Sequence, residues 1–375
     1  MMLTIERIEL SHVVMPLISP FKTSFGVEKD RPCLLVAVYA GGLVGWGECV
    51  TGDGPWYSYE DIDTAWHILT QFAIPRMVGK SFSHPQEIFQ ALHSIRGHEM
   101  AKTALENACW DLYAQSLGLP LSAVLNHQQT VAKERVAVGV SIGIQPTLEK
   151  LLQDVAGFVQ AGYARIKIKI EPGWELAQLR AVRQNHPNIL LMADANSAFS
   201  LNDVALFQAM DDLNLLMIEQ PLGHDDIADH ARLQAQIASP ICLDESIHSV
   251  AATQAAIDLR ACRIINMKVG RVGGITTAIA IHNLAQQAGI QMWCGGMLET
   301  GVGRATNIHL ATLPNFTLPG DISASDRYYH EDIAYPLFTL NTDSTITVPS
   351  APGIGVQVNP ALLKKYTRRS EKWLM

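Results

Sequence analysis

The sequence predicts an α/β protein, a closed (β/α) barrel preceded by a smaller α+β region. Three observations carry that prediction. Short apolar β-runs recur about every 25 residues from residue 134 onward. The segments between them carry helical apolar spacing. The glycine clusters "GRVGG" and "GVGRAT" do not match the G-x-G-x-x-G of a dinucleotide-binding sheet, so the regular repetition favours a barrel over a doubly wound fold. A chain of 375 residues has room for a barrel plus an accessory domain.

The elements follow in order. "LLVAVYAGGLVGWGECV" (34–50) reads as two strands joined at Gly41-Gly42. "SYEDIDTAWHILTQFAIPRM" and "AKTALENACWDLYAQSLG" read as helices, the second closed by Gly118 and Pro120. Residues 1–130 are thus an α+β region. The barrel is expected over 131–334. Its strand runs are "VAVGVSI" (136–142), "ARIKIKI" (164–170), "ILLMADAN" (189–196), "LLMIEQP" (215–221), "ICLDES" (241–246), "RIINMKVG" (263–270), "IQMWCGGML" (290–298) and, more weakly, "FTLPGDIS" (316–323). The tail over 335–375 ends in "PALLKKYTRRSEKWLM", read as a solvated basic helix or tail packed by Leu362, Leu363 and Trp373.

Composition narrows the class. Hydrophobic residues make up 48% of the chain and charged residues 17%, which suits a well-buried globular protein. A net charge of −8 disfavours nucleic acid or an anionic membrane as partner. Six scattered cysteines without a CxxC read as reduced thiols. Glu6, Arg7 and Glu9 interrupt the first apolar run, so no signal peptide is expected. Residues 273–298 lack Asp, Glu, Lys and Arg but hold His282, Asn283 and Gln286, too polar for a membrane span. A cytoplasmic protein is expected.

The chemistry sits in a charged ladder. Lys169, Asp194, Glu219, Asp244 and Lys268 follow one another at gaps of 25, 25, 25 and 24 residues, each near the carboxyl end of a predicted strand. In a (β/α) barrel those ends form the active site. Three adjacent carboxylates would repel or take up protons unless a cation sat among them. Oxygen-only donors suit a hard ion, Mg²⁺ by default with Mn²⁺ as substitute. Lysines flanking a metal suggest a base and its partner for removing a proton alpha to a carboxylate. Lys167, beside Lys169, would lower its pKa and let part of it act as a neutral base.

These residues resemble the enolase superfamily and, within it, the muconate lactonizing enzyme subgroup. The carriers are "KIK" (167–169), "ADAN" (193–196), "IEQP" (218–221), "LDES" (243–246) and "NMKVGRVGG" (266–274). The resemblance implies a modified (β/α)7β TIM-like barrel, with an α+β capping domain formed by the N-terminal region and the C-terminal tail. It implies Asp194, Glu219 and Asp244 as metal ligands, Lys169 and Lys268 as the acid/base pair, and Lys167 as modulator. Asn196 and Glu245 would support them. Arg271, in the loop past the sixth strand, either makes a salt bridge and bonds to nearby carbonyls or lies close enough to depress the pKa of Lys268. "FKTSFG" (21–26) and "TGDGPWYS" (51–58) look like loops that close over substrate. The resemblance further puts Phe21, Ser24, Ser141, Gly296, Met297, Leu298 and Asp321 at the substrate.

"CGGMLETGVGRATN" (294–307) and "LPGDISASDRYY" (318–329) are similar to the branch that holds o-succinylbenzoate synthases and N-succinylamino acid racemases. A small carboxylate substrate with a succinyl group is then implied, handled by dehydration or racemisation, and a homo-oligomer is left open. Two departures stand out. Val269 follows Lys268 where the branch commonly has proline, and the eighth run has Asp321 alone where dipeptide epimerases have Asp-x-Asp. Dipeptide epimerisation, muconate-type cycloisomerisation and a catalytically silent binding barrel are the alternatives.

Overall fold

The computed structural model describes residues 2–126 and 133–375. The expected boundary between the two regions, at 130/131, lies outside the described residues. Three N-terminal strands, β1 (Arg7–Thr23), β2 (Gly26–Ala40) and β3 (Leu43–Cys49), form an antiparallel meander. Gly41 and Gly42 turn the second hairpin at φ of 58° and 77°, a left-handed pair that glycine adopts without steric cost. Helix α1 (Glu99–Ser116) packs on β3. A Cβ at Gly45 or Gly47 would lie 2.1 or 2.0 Å from an α1 carbonyl, so glycine sets how closely helix and strand approach.

Sequence spacing suggested an amphipathic α1, but the helix is buried nearly all round between the meander and the barrel. Its polar side chains are tied to neighbours rather than solvated. Glu106 accepts from the backbone N–H of Ile275 and Thr276, at the start of a barrel helix over Ile275–Gln287. Asp111 accepts from Trp46 and Ile354. The 58–77 segment is also less regular than expected. Its helix passes through a π-helical turn at Leu69–Ala73 just before Pro75, which has no N–H to donate.

Among the described residues, seven strands form one parallel sheet in chain order: β4 (Val140–Ile142), β5 (Arg165–Lys169), β6 (Leu190–Asp194), β7 (Ile218–Glu219), β8 (Ile241–Leu243), β9 (Ile264–Met267) and β10 (Gln291–Cys294). The eighth predicted run is not a regular strand. Pro319 removes a ladder donor at its centre, and 316–323 meets its neighbours through the isolated bridges Met292–Phe316 and Val138–Gly320. Backbone bonds from Asp321 to Cys294, Gly320 to Ala137 and Gly139 to Gly320 complete that seam. The first run is split as well. Arg135–Ala137 pairs with Thr345–Thr347, and only the part after Gly139 enters the parallel sheet.

The tail differs from expectation at its end. After the helix Pro360–Tyr366, Thr367–Leu374 forms a strand, β11, paired antiparallel with β1. Its mostly exposed, charged side chains carry little alternation, so the sequence pattern did not reveal it. All six cysteines are buried and unpaired. Among the described residues no helix is long and apolar enough to cross a membrane.

Candidate active site

Side-chain period builds the site. Successive residues on a strand point to opposite faces. The isoleucines of β5 and Ile170 face outward into the main core, while Lys167 and Lys169 face inward, 2% and 6% exposed. On β6, β7 and β8 the same parity stacks an apolar layer, Met192, Met217 and Cys242, one step below Asp194, Glu219 and Asp244. Strand register sets Lys169 beside Asp194 and Asp194 beside Glu219. The ladder read from the sequence thus lies at the barrel mouth, with Lys169, Asp194 and Glu219 level and Asp244 two residues beyond Cys242, the partner of Glu219.

Each carboxylate faces a cation. Asp194 Oδ2 lies 2.5 Å from Lys169 Nζ and 3.2 Å from Lys167 Nζ. Glu219 takes Lys167 Nζ at 3.2 Å on one oxygen and Asn266 Nδ2 at 2.7 Å on the other. Asp244 meets Lys268 Nζ at 2.8 Å and is also paired with Arg271. Among the described residues no three His, Cys, Asp or Glu side chains converge closely enough to hold a metal as they stand. The donor chemistry nonetheless fits a hard divalent ion, because three fully buried carboxylates at the ends of successive strands offer oxygens alone.

Burial and neighbouring charge push the two lysines apart. Burial lowers the pKa of Lys169; Asp194 opposes this and Lys167 adds to it, with a net lowering. Lys167 thus acts in the expected direction, and burial is the larger cause. Burial also works against the charge on Lys268, but Tyr57, Glu245 and Glu219 outweigh it and raise its pKa. Arg271 does not leave Lys268 with the depressed pKa expected, since the net shift is upward, although the two side chains share Asp244 and the Tyr57 hydroxyl. The Arg271 guanidinium is turned onto Asp244, the carbonyls of Ile247 and Asn266, and the Tyr57 hydroxyl.

Asn196 and Glu245 form a chain to the same centre. Asn196 Oδ1 accepts from Lys169 Nζ at 2.6 Å, and its amide nitrogen donates to Glu245 at 2.9 Å. The other Glu245 oxygen is buried without a partner. Ser24, near the tip of the β1–β2 hairpin, donates to the carbonyls of Ala195 and Asn196 at 3.3 Å. Phe21 stacks edge-on against Tyr328. Leu298, at φ 58°, offers its carbonyl to Tyr329. Gly296 lies so close to the Asp321 carbonyl that a Cβ would sit 2.5 Å from it. Met297 lines a cleft of about 340 Å³ under the hairpin tip. Ser141 and Asp321 bond each other at 2.6 Å, on the seam side of Lys167.

Sequence reasoning missed four contributors. Tyr57 reaches in from the 51–58 loop, its hydroxyl 3.2 Å from both Lys268 and Asp244. Gln220 holds the turn after β8, accepting from the backbone of Asp244 and Ser246. Arg165, fully buried on β5, pairs with Asp321 at 3.2 Å. Trp293 lies beneath Lys167, its ring centre 5.0 Å from the ammonium. The alternation that exposed Lys167 and Lys169 extends to Arg165, but a lone arginine at a strand start gave no signal of a buried pair. Over the mouth, a cavity of about 860 Å³ is lined by Phe25, Trp56, Tyr57, Asn196, Glu245 and Arg271.

Comparison with known proteins agrees with this architecture. Residues 6–125 match the mandelate racemase / muconate lactonizing enzyme N-terminal domain, and 150–362 match the enolase C-terminal domain-like family. The chain belongs to the enolase superfamily. Enzymes of this superfamily depend on a divalent metal. An o-succinylbenzoate synthase from Geobacillus kaustophilus is 49% identical over 98% of this chain and 97% of its own. An N-succinylamino acid racemase from Amycolatopsis sp is 45% identical over 97% of each chain. A crystal structure of an enolase superfamily member from Listeria innocua superposes with a TM-score of 0.94, at 41% identity over 99% of both chains. The L-Ala-D/L-Glu epimerase of Bacillus subtilis is more distant, 28% identical over 96% of this chain and 98% of its own.

Proposed function

We propose that this enolase superfamily enzyme is an o-succinylbenzoate synthase. It would dehydrate 2-succinyl-6-hydroxy-2,4-cyclohexadiene-1-carboxylate by removing the proton alpha to the carboxylate. The observation that carries this reading is the pair Lys169 and Lys268, inward-facing on β5 and just past β9, with the three carboxylates of the intervening strands between them. The full-length relatives at 41–49% identity that bear the synthase name support the substrate.

Asp194, Glu219 and Asp244 would hold the divalent ion, Mg²⁺ or Mn²⁺. Bound there, it supplies positive charge against the substrate carboxylate, which lowers the cost of a second negative charge on that group. Lys169, with its lowered pKa, takes the α-proton. The resulting ammonium then returns a proton to the departing hydroxyl on the same face. Lys268, whose pKa is raised, stays cationic and stabilises the enolate. Asn196 orients Lys169, and Tyr57 from the cap excludes water beside Lys268. The cavity under the cap would admit the succinyl arm.

N-succinylamino acid racemisation is a second reading, favoured by a lysine at each end of the carboxylate row and by the racemase names of two relatives. The test is direct turnover by purified protein with Mg²⁺, comparing the cyclohexadiene carboxylate with N-succinylamino acids. Turnover of neither substrate overturns the proposal.

A further inference from the structure

Asp321 is 7% exposed and stands where the barrel closes without a regular strand. Its carboxylate is held from three sides. Ser141 donates to one oxygen at 2.6 Å, Arg165 reaches the other at 3.2 Å, and Lys167 Nζ lies 3.0 Å away. Arg165 is itself immobile. It donates to the carbonyls of Val140 and Gly320, and a Cβ on Gly139 would fall 2.3 Å from its Nε. The carboxylate is therefore a fixed anion, anchored to the seam and not to the metal row.

Lys167 has three anions within reach and one charge to share. Asp321 is at 3.0 Å, and Asp194 and Glu219 are each at 3.2 Å. Trp293 lies beneath it, with the Lys167 ammonium and the Arg165 guanidinium 5.0 and 5.4 Å from the ring centre, so the ammonium cannot retreat downward. A divalent ion on Asp194 and Glu219 would repel this ammonium and compete with it for the same oxygens. Among these three carboxylates, Asp321 is the one outside the ligand row.

We infer that Asp321 is a positioning residue for the metal site. It draws the Lys167 ammonium toward the barrel seam and leaves the oxygens of Asp194 and Glu219 to a divalent ion. The inference rests on the ligand assignment above and replaces the expectation that Asp321 touches substrate.

The test is Mn²⁺ affinity of the metal-stripped full-length protein, by calorimetry or electron paramagnetic resonance, with circular dichroism to check folding. Asp321→Asn should weaken Mn²⁺ binding about 10-fold or more, in the range usual for groups that support a metal's ligands. Lys167→Met should tighten it several-fold, a result independent of how the Asp321 variant folds. In the Lys167→Met background, Asp321→Asn should no longer matter. An unchanged affinity in Asp321→Asn overturns the inference. So does an equal loss with and without Lys167, or weaker binding in Lys167→Met. A parent protein that binds no Mn²⁺ overturns the ligand assignment itself, a different and distinguishable failure.

Discussion

Lys169 Nζ lies 2.6 Å from Asn196 Oδ1, and the amide of Asn196 is held in that orientation by Glu245 at 2.9 Å. The backbone of Asn196 has φ 42°, a left-handed conformation in which asparagine is several-fold enriched over other non-glycine residues. Asn196→Ala should therefore misplace the base and also cost some stability, because alanine is strained at this φ, without unfolding the barrel. A displacement of about 1 Å can cost on the order of 100-fold in rate. Turnover of the cyclohexadiene substrate should fall 10- to 100-fold, as is usual for groups that orient a site, with a fall of only a few degrees in melting temperature. Wild-type turnover would mean that strand packing alone aims Lys169.

Tyr57 connects the cap to the chemistry. Its hydroxyl touches Lys268, Asp244 and Arg271, while its ring packs near Phe25. Tyr57→Phe keeps the ring and removes the hydrogen bonds. One such bond to a charged group corresponds to about 1.5–3 kcal/mol, so kcat/KM should drop about 10- to 100-fold or more. Steady-state kinetics on the purified variant reads this directly. No change would reduce the 51–58 loop to a cover.

Metal dependence follows from three buried carboxylates in a row. Chelation should abolish turnover, and Mg²⁺ or Mn²⁺ should restore it. Glu219→Gln should weaken metal binding by about 10-fold or more, because one negative charge leaves the row while the Asn266 contact can persist. Full turnover by thoroughly stripped protein would remove the metal from the account.

The buried cap carboxylates give the fold a pH dependence of its own. Burial raises the pKa of Glu106 from 4.5 to about 7, against the lowering effect of its bonds to Thr276, Trp110 and Ile275. A raised carboxylate favours folding most when protonated. Its contribution is present below about pH 4.5 and is lost as pH rises through about 7. At about 1.4 kcal/mol for each pH unit between those two values, the loss is on the order of 3 kcal/mol. Glu106→Gln should flatten the decline in melting temperature between pH 5 and 8. An identical slope in parent and variant would show that Glu106 does not titrate there.

How much of this was legible depended on periodicity. The carboxylate row, both lysines and seven of the eight barrel runs stood out, because strands repeating about every 25 residues bring their ends together. The eighth run was only faintly visible, since Pro319 prevents regular pairing and buried ion pairs around Arg165 and Asp321 help close the seam. The edge strand Thr367–Leu374 was hidden by its exposed charges. Tyr57 was invisible for another reason. The 51–58 segment was expected to close over substrate, but nothing in it singled out Tyr57 as the side chain that reaches Asp244 and Lys268.

The central claim, that Lys169 removes the α-proton while Lys268 stays cationic and stabilises the enolate, is tested most directly by deuterium exchange. Lys169→Ala and Lys268→Ala would each be incubated in heavy water with Mg²⁺ and the separate enantiomers of an N-succinylamino acid. Each variant should lose turnover by about 10²- to 10⁴-fold, the usual contribution of a positioned base. Lys268→Ala should still exchange the α-proton of one enantiomer through Lys169, and Lys169→Ala should exchange neither. Exchange of either enantiomer by Lys169→Ala, or no exchange of either by Lys268→Ala, would contradict the account.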